Sequence, residues 1–166
     1  MEIRTQDGQV MFESAFRSYI HANGGPTWGQ TTPEILQALG AEVVLEGPQA
    51  QTNPPYEFSY RNGVEQIGGK WYTKYSVGPV FTDQPATGTQ PAKTAAEQMA
   101  EYKAMKDAEQ AKNVREDRNL RLAECDWTQL ADSAVDKAVW ATYRQALRDV
   151  PSQSGFPWNV TWPTQP

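Results

Sequence analysis

Between Thr94 and Cys125 nothing in the sequence breaks a helix, and that run sets the terms for everything around it. Thr94-Ala95-Ala96-Glu97 is a capping box, in which the threonine hydroxyl and the glutamate carboxylate each satisfy a free backbone amide. About 30 residues follow without proline or glycine, roughly 45 Å of helix at 1.5 Å per residue. Composition is the constraint. Met99, Tyr102 and Met105 form a narrow apolar edge, but between Lys106 and Asn119 only Ala108, Ala111 and Val114 are apolar. Such a helix has no broad face to bury. The sequence alone predicts that it stands in solvent as a spacer or meets other chains through its small residues.

The rest of the chain is built to match. At 166 residues it has room for one ordinary domain or two small ones. A hydrophobic share of 39% and a mean hydropathy of -0.69 argue against one large core, while an aromatic share of 11% argues against wholesale disorder. Thin cores anchored by large rings are expected. The net charge of -5 and the interleaving of lysine and arginine with acids leave no basic stripe, so nucleic-acid binding is not expected. The N-terminus has neither the basic nor the apolar region of a signal peptide, and no apolar run approaches a membrane span. The single cysteine suits synthesis in a reducing cytoplasm.

Residues 1–82 read as a small α+β module. Asp7-Gly8 marks a hairpin turn between extended flanks, and Phe12, Phe16, Tyr19 and Ile20 make one helical stripe. A second short helix is bounded by Thr32 as N-cap, Pro33 at the first position and Gly40 as C-cap. Ala41 to Leu45 reads as a strand. Then Tyr56, Phe58 and Tyr60 alternate, Asn62-Gly63 and Gly68-Gly69 mark turns, and Lys70 to Val77 alternates again, a pattern that predicts a β-meander. Residues 83–93, with two prolines and no ring, read as an extended linker.

Residues 94–166 combine the long helix with a terminal module. A second helix is expected from Ser133 to Asp149 with Val135, Val139, Tyr143, Ala146, Leu147 and Val150 as its stripe, and Pro151 stops it. The tail alternates Phe156, Trp158, Val160 and Trp162, which fits an extended aromatic strap laid across a helical hairpin.

Catalytic chemistry finds little support. His21 is the only histidine and has no ligating or nucleophilic partner nearby in sequence. Cys125 is followed by Asp126, which disfavours a thiolate, so it reads as a small buried group. Asp126 reads as a backbone cap before Trp127. Neither glycine pair carries the following Lys-Ser or Lys-Thr of a phosphate loop. No catalytic residue, metal or cofactor is therefore expected. The candidates are contact residues: Met99, Tyr102, Met105, Trp127, Trp140, Tyr143, Trp158 and Trp162 for a protein interface, and Tyr56, Trp71 and Tyr72 for a glycan or partner.

Cys125-Asp126-Trp127, then Trp140, Tyr143 and Leu147, then Pro157-Trp158 and Trp162-Pro163, fall within 39 residues that hold four of the six tryptophans. This arrangement resembles the C-terminal module of bacteriophage tail assembly chaperone and tail-fibre assembly proteins. A weaker likeness, carried by Gly40-Ala41-Glu42-Val43-Val44 and Gly68-Gly69-Lys70-Trp71-Tyr72, is to the β module of tail and fibre proteins of phages, cyanobacterial phages among them. The resemblance implies a non-enzymatic protein whose partners are other tail or tail-fibre subunits, in a homo- or hetero-oligomer. It leaves several fates open. On the bipartite build, the expectation is a structural or host-attachment component kept in the virion tail. The alternatives are a transient assembly chaperone, made in the host cytoplasm and released, and a fibre tip that contacts a host surface glycan.

Overall fold

Two hairpins and one strand between them make the sheet of the N-terminal unit. The computed structural model describes residues 1–166, which divide into two units, Met1–Val80 and Phe81–Pro166. In the first, β1 (Glu2–Thr5) and β2 (Val10–Phe12) pair antiparallel across the Asp7-Gly8 turn. Helices α1 (Glu13–Ala22) and α2 (Pro33–Ala38) follow, then β3 (Ala41–Leu45), β4 (Phe58–Ile67) and β5 (Lys70–Gly78). The strand order is β2-β1-β3-β5-β4, with β3 and β5 parallel and every other pair antiparallel. The α+β class read from the sequence is the one observed.

The meander is corrected. Residues 58–67 form one strand, and Asn62-Gly63 is a bulge in it rather than a turn. Arg61 faces Tyr75 and Val64 faces Thr73, so β4 carries one extra residue there. Gly63 takes φ +83°, which only glycine adopts at no steric cost. The sequence signal was the same in both readings, since a left-handed glycine serves a bulge as readily as a hairpin.

The core of this unit is Ile3, Phe16, Leu36 and Ala41, with Met11, Ile20, Trp28, Leu39 and Val43 around it. The stripe on α1 is narrower than its spacing suggests. Phe16 is fully buried, whereas Phe12 ends β2 and is exposed, as is Tyr19 in part. Both ends of α2 are as expected, with the Ile35 amide donating to Thr32 Oγ1 at 3.4 Å and Gly40 at φ +68°. Arg17 locks the loop between the helices by donating to the carbonyl oxygens of Trp28 and Gly29 and to Thr31 Oγ1.

The opposite face of the sheet is roofed by side chains. Register places Glu2 beside Val44 and Arg61 beside Tyr75, and the two charged groups meet over that face in a bidentate pair. Arg4 lies over the Trp71 ring at 3.8 Å. Val44 and Thr73 are buried on this face.

The second unit is built on α3 (Ala95–Glu124), thirty residues long as the sequence indicates, and α4 (Lys137–Asp149). The capping box at Thr94 and Glu97 is complete, and Asp83 adds a third bond by accepting from the Ala95 amide at 2.7 Å. Residues 83–93 do not run extended. Gln84 pairs with Lys93 and Thr87 with Gln90, folding the segment into a narrow hairpin beside the first turns of α3. Phe81 packs on Tyr102, 5.9 Å between ring centroids. The start of α4 is also corrected. Asp136 caps it by accepting from the Ala138 and Val139 amides, while Ser133 donates to the carbonyl oxygens of Thr128 and Leu130 and closes the preceding loop.

The Arg61 hydrogen bond holds the Glu2 carboxyl below its ordinary range, with burial opposing it. A carboxylate with a lowered folded pKa contributes stability above its unfolded pKa and loses it as pH falls through the folded one. Unit 1 should therefore lose thermal stability between about pH 5 and pH 3. Glu2→Gln should flatten that loss, as read by thermal melts across the range; an unchanged slope removes Glu2 as its source.

Candidate functional site: the terminal helical unit

In α4 the inward positions are Trp140, Tyr143, Arg144 and Leu147, all buried, with Val150 fully buried just beyond. The inner face is turned by about one residue from the stripe read in the sequence, because Trp140 outweighs Val139 in apolar area and takes the inside place. Val139 is left 46% exposed. Trp140 meets Tyr143 edge to face at 5.8 Å, and Trp127 meets Trp140 in the same way at 5.8 Å. Leu122, Val135 and Trp162 pack around this core.

Arg144 is the residue that sequence reading missed. It is 8% exposed. Its Nη1 donates to the Leu122 carbonyl oxygen at 2.8 Å and lies 2.9 Å from Cys125 Sγ, while Nη2 donates to Asp126 Oδ1 at 2.7 Å. Burial disfavours its charge, yet the bonds to Asp126 and Cys125 outweigh that and raise its pKa. The Nε atom is buried without a partner. Asp126 is thus a counter-ion for Arg144 rather than a backbone cap. Cys125 is 1% exposed, in keeping with a small buried group. The only local signal was its spacing, four residues after Trp140 and three before Leu147, which puts Arg144 on the inward face of the helix without naming its partner.

The tail is a strap, but a folded one. A turn from Gly155 to Asn159 reverses it, and a Cβ at Gly155 would collide with the Asn159 carbonyl oxygen. Gln153 clips the two arms together, its amide donating to the Thr161 carbonyl oxygen and accepting from the Thr161 amide, each at 2.8 Å. Three rings then rest on α3. Trp158 Nε1 donates to Asp107 Oδ1 at 2.6 Å, Arg115 lies 5.1 Å from the Phe156 centroid, and Arg121 lies 4.3 Å from that of Trp162. Asp107, Ala111, Val114 and Arg115 share one face of the helix, and Ala111 and Val114 are buried there. The middle of the polar helix is therefore covered by its own chain, which corrects the expectation that it must stand bare or await another molecule.

The interface candidates separate accordingly. Trp140 and Tyr143 lie in the core and are out of reach of a partner. Trp158 and Trp162 are half-buried on α3, and Met99 and Tyr102 are half-buried near the hairpin. Met105 and Trp127 are exposed. Leu130, unmarked in the sequence reading, is 59% exposed beside Trp127 at 51%. In the first unit, Tyr56 is half-buried, and Trp71 and Tyr72 are neighbours on a strand and project from opposite faces. They do not form one aromatic platform, and Arg4 already occupies a face of Trp71.

No group of histidine, cysteine or carboxylate side chains is arranged to hold a metal ion, and no helix is long and apolar enough to cross a membrane. Residues 111–166 match the family model for phage tail assembly chaperone protein. Over these residues the C-terminal unit is similar to phage tail assembly chaperone proteins, the class that the Trp-Tyr-Leu spacing and the Trp-Pro ending resembled. The match begins at Ala111, the first buried position of α3, so it takes in the half of the helix on which Phe156 and Trp162 rest. Residues 1–110 lie outside it. No curated protein and no solved structure matches the chain.

Arg144→Ala should cost about 2–4 kcal/mol, because it empties a buried volume and leaves the Leu122 carbonyl without its cation. Asp126→Asn should cost less than about 1 kcal/mol, since that side chain is 67% exposed and water replaces the pair. Urea unfolding of the two variants checks the asymmetry; equal losses would show that the ion pair, not the buried cation, holds the junction. Trp158→Phe should loosen the strap at a cost of about 1 kcal/mol, seen as faster hydrogen exchange of the Asn159 and Thr161 amides. Unchanged exchange there would mean that the Asp107 bond does not hold the tip.

Proposed function

We propose that this protein is a phage tail assembly chaperone: a non-enzymatic chain, made in the host cytoplasm, that binds a tail or tail-fibre protein before assembly and leaves it afterwards. The observation that carries this reading is the family match over residues 111–166, which lies wholly within one folded unit. The exposed apolar side chains Trp127, Leu130 and Val139 on that unit supply a surface for such contacts. Residence in the virion rested on a spacer helix too polar to be covered by its own chain. With the strap and the hairpin laid on α3, that argument weakens and the chaperone role is favoured. A glycan-binding tip draws no support from Trp71 and Tyr72 on opposite sheet faces.

Two measurements test the proposal together. Co-expression with each tail protein of the phage should raise the soluble yield of at least one of them several-fold. Mass spectrometry of purified particles should find no peptide of this chain at structural stoichiometry. Particles that retain it in fixed copy number would instead make it a resident tail component.

A further inference from the structure

Resting on that reading, the structure also bears on the chemistry of the partner. Trp127, Leu130 and Val139 all belong to the junction between α3 and α4 and are all about half exposed or more. Trp127 is held by its edge contact with Trp140, and the backbone at Leu130 by the Lys137 ammonium, which donates to the Leu130 carbonyl oxygen at 2.7 Å. The anchors are held by the fold, so little ordering is needed on contact.

Acidic groups outnumber basic ones around them. Glu124, Asp126, Asp132 and Asp136 lie in the same junction and are exposed. Against them stands Lys137, whose ammonium is taken up by the carbonyl oxygens of Leu130 and Ala131. Of the nearby arginines, Arg144 is buried against Asp126 and Arg121 is paired with Asp117. An apolar centre with an acidic rim favours a partner of opposite pattern and repels an acidic one.

We infer that the α3–α4 junction is the docking surface for a cationic amphipathic segment of a tail protein, its apolar residues seated on Trp127, Leu130 and Val139 and its lysines or arginines facing the acidic rim. A second copy of this chain would bring the same acidic rim to the contact, so self-association through this face is disfavoured.

The test uses the full chain and two synthetic amphipathic peptides of about 18 residues, five helical turns, one Leu/Lys and one Leu/Glu with the same spacing. Labelled-peptide anisotropy should show the Leu/Lys peptide binding, more weakly as salt is raised, and the Leu/Glu peptide not binding. Leu130→Ser with Val139→Ser should weaken binding by about tenfold or more. Glu124→Lys with Asp132→Lys should abolish the preference for the cationic peptide. Glu109→Lys with Glu116→Lys, both exposed on α3 away from the junction, should leave that preference unchanged. Equal binding of both peptides, no binding of either, or junction variants that bind like the parent would each overturn the inference. So would a dimer in sedimentation that Leu130→Ser with Val139→Ser dissolves, since the occupant would then be a second copy. The co-expression assay separates the two readings: junction variants that still keep a tail protein soluble remove this surface and leave the chaperone role. A parent chain that discriminates the peptides yet keeps no tail protein soluble does the reverse.

Discussion

A thirty-residue helix with almost no apolar face cannot hold itself in a fold, and the rest of the C-terminal unit answers that constraint. At its start, the hairpin of residues 83–93 and the Asp83 carboxylate satisfy the first turn. Along its middle, the strap lays Phe156, Trp158 and Trp162 on a face made of Ala111, Val114 and the stems of arginines. At its end, the buried guanidinium of Arg144 gathers the Leu122 carbonyl, Cys125 and Asp126. Aromatic rings suit this task because they cover much area and interact with cations as well as methyl groups. Arginine suits it because its stem is apolar while its head remains charged.

The two units solve burial differently. In the first, an antiparallel frame with one parallel join encloses Ile3, Phe16, Leu36 and Ala41, and charged side chains close the other face. In the second, Trp140, Tyr143 and Leu147 form a smaller core in which one buried cation takes the place of further aliphatic residues. A buried guanidinium is a poor source of stability compared with packed hydrocarbon, but it is selective about geometry. Here it fixes the direction in which the chain leaves α3, and with it the placement of Trp127.

Local signals were legible wherever a backbone need has one chemical answer. The box at Thr94 and Glu97, the Thr32-Pro33 start of α2, and the Asp7-Gly8 turn were all readable because few residues meet those needs. Signals with two answers were not. Asn62-Gly63 serves a turn or a bulge, and only the register against β5 decides between them. Ser133 and Asp136 can both cap a helix, and the loop's own hydrogen bonds claimed the serine. Contacts at long range escaped altogether. Nothing local to Asp107 announces Trp158, and nothing local to Arg144 announces Asp126, since each pair is joined only once the chain has turned back. The candidate surface followed suit. Trp127 and Met105 were marked from sequence and are exposed, whereas Val139 gains its place only from the observed rotation of α4 and Leu130 from the turn that follows α3.

The kink in β4 has a consequence for how such a molecule behaves in company. β4 is an outermost strand of ten residues, long enough to recruit a neighbour by backbone pairing. The extra residue at Asn62-Gly63 interrupts the ladder and twists the strand, while Arg61 and Glu65 place charges along it. The sheet is thereby poorly disposed to grow by pairing with another chain along this edge.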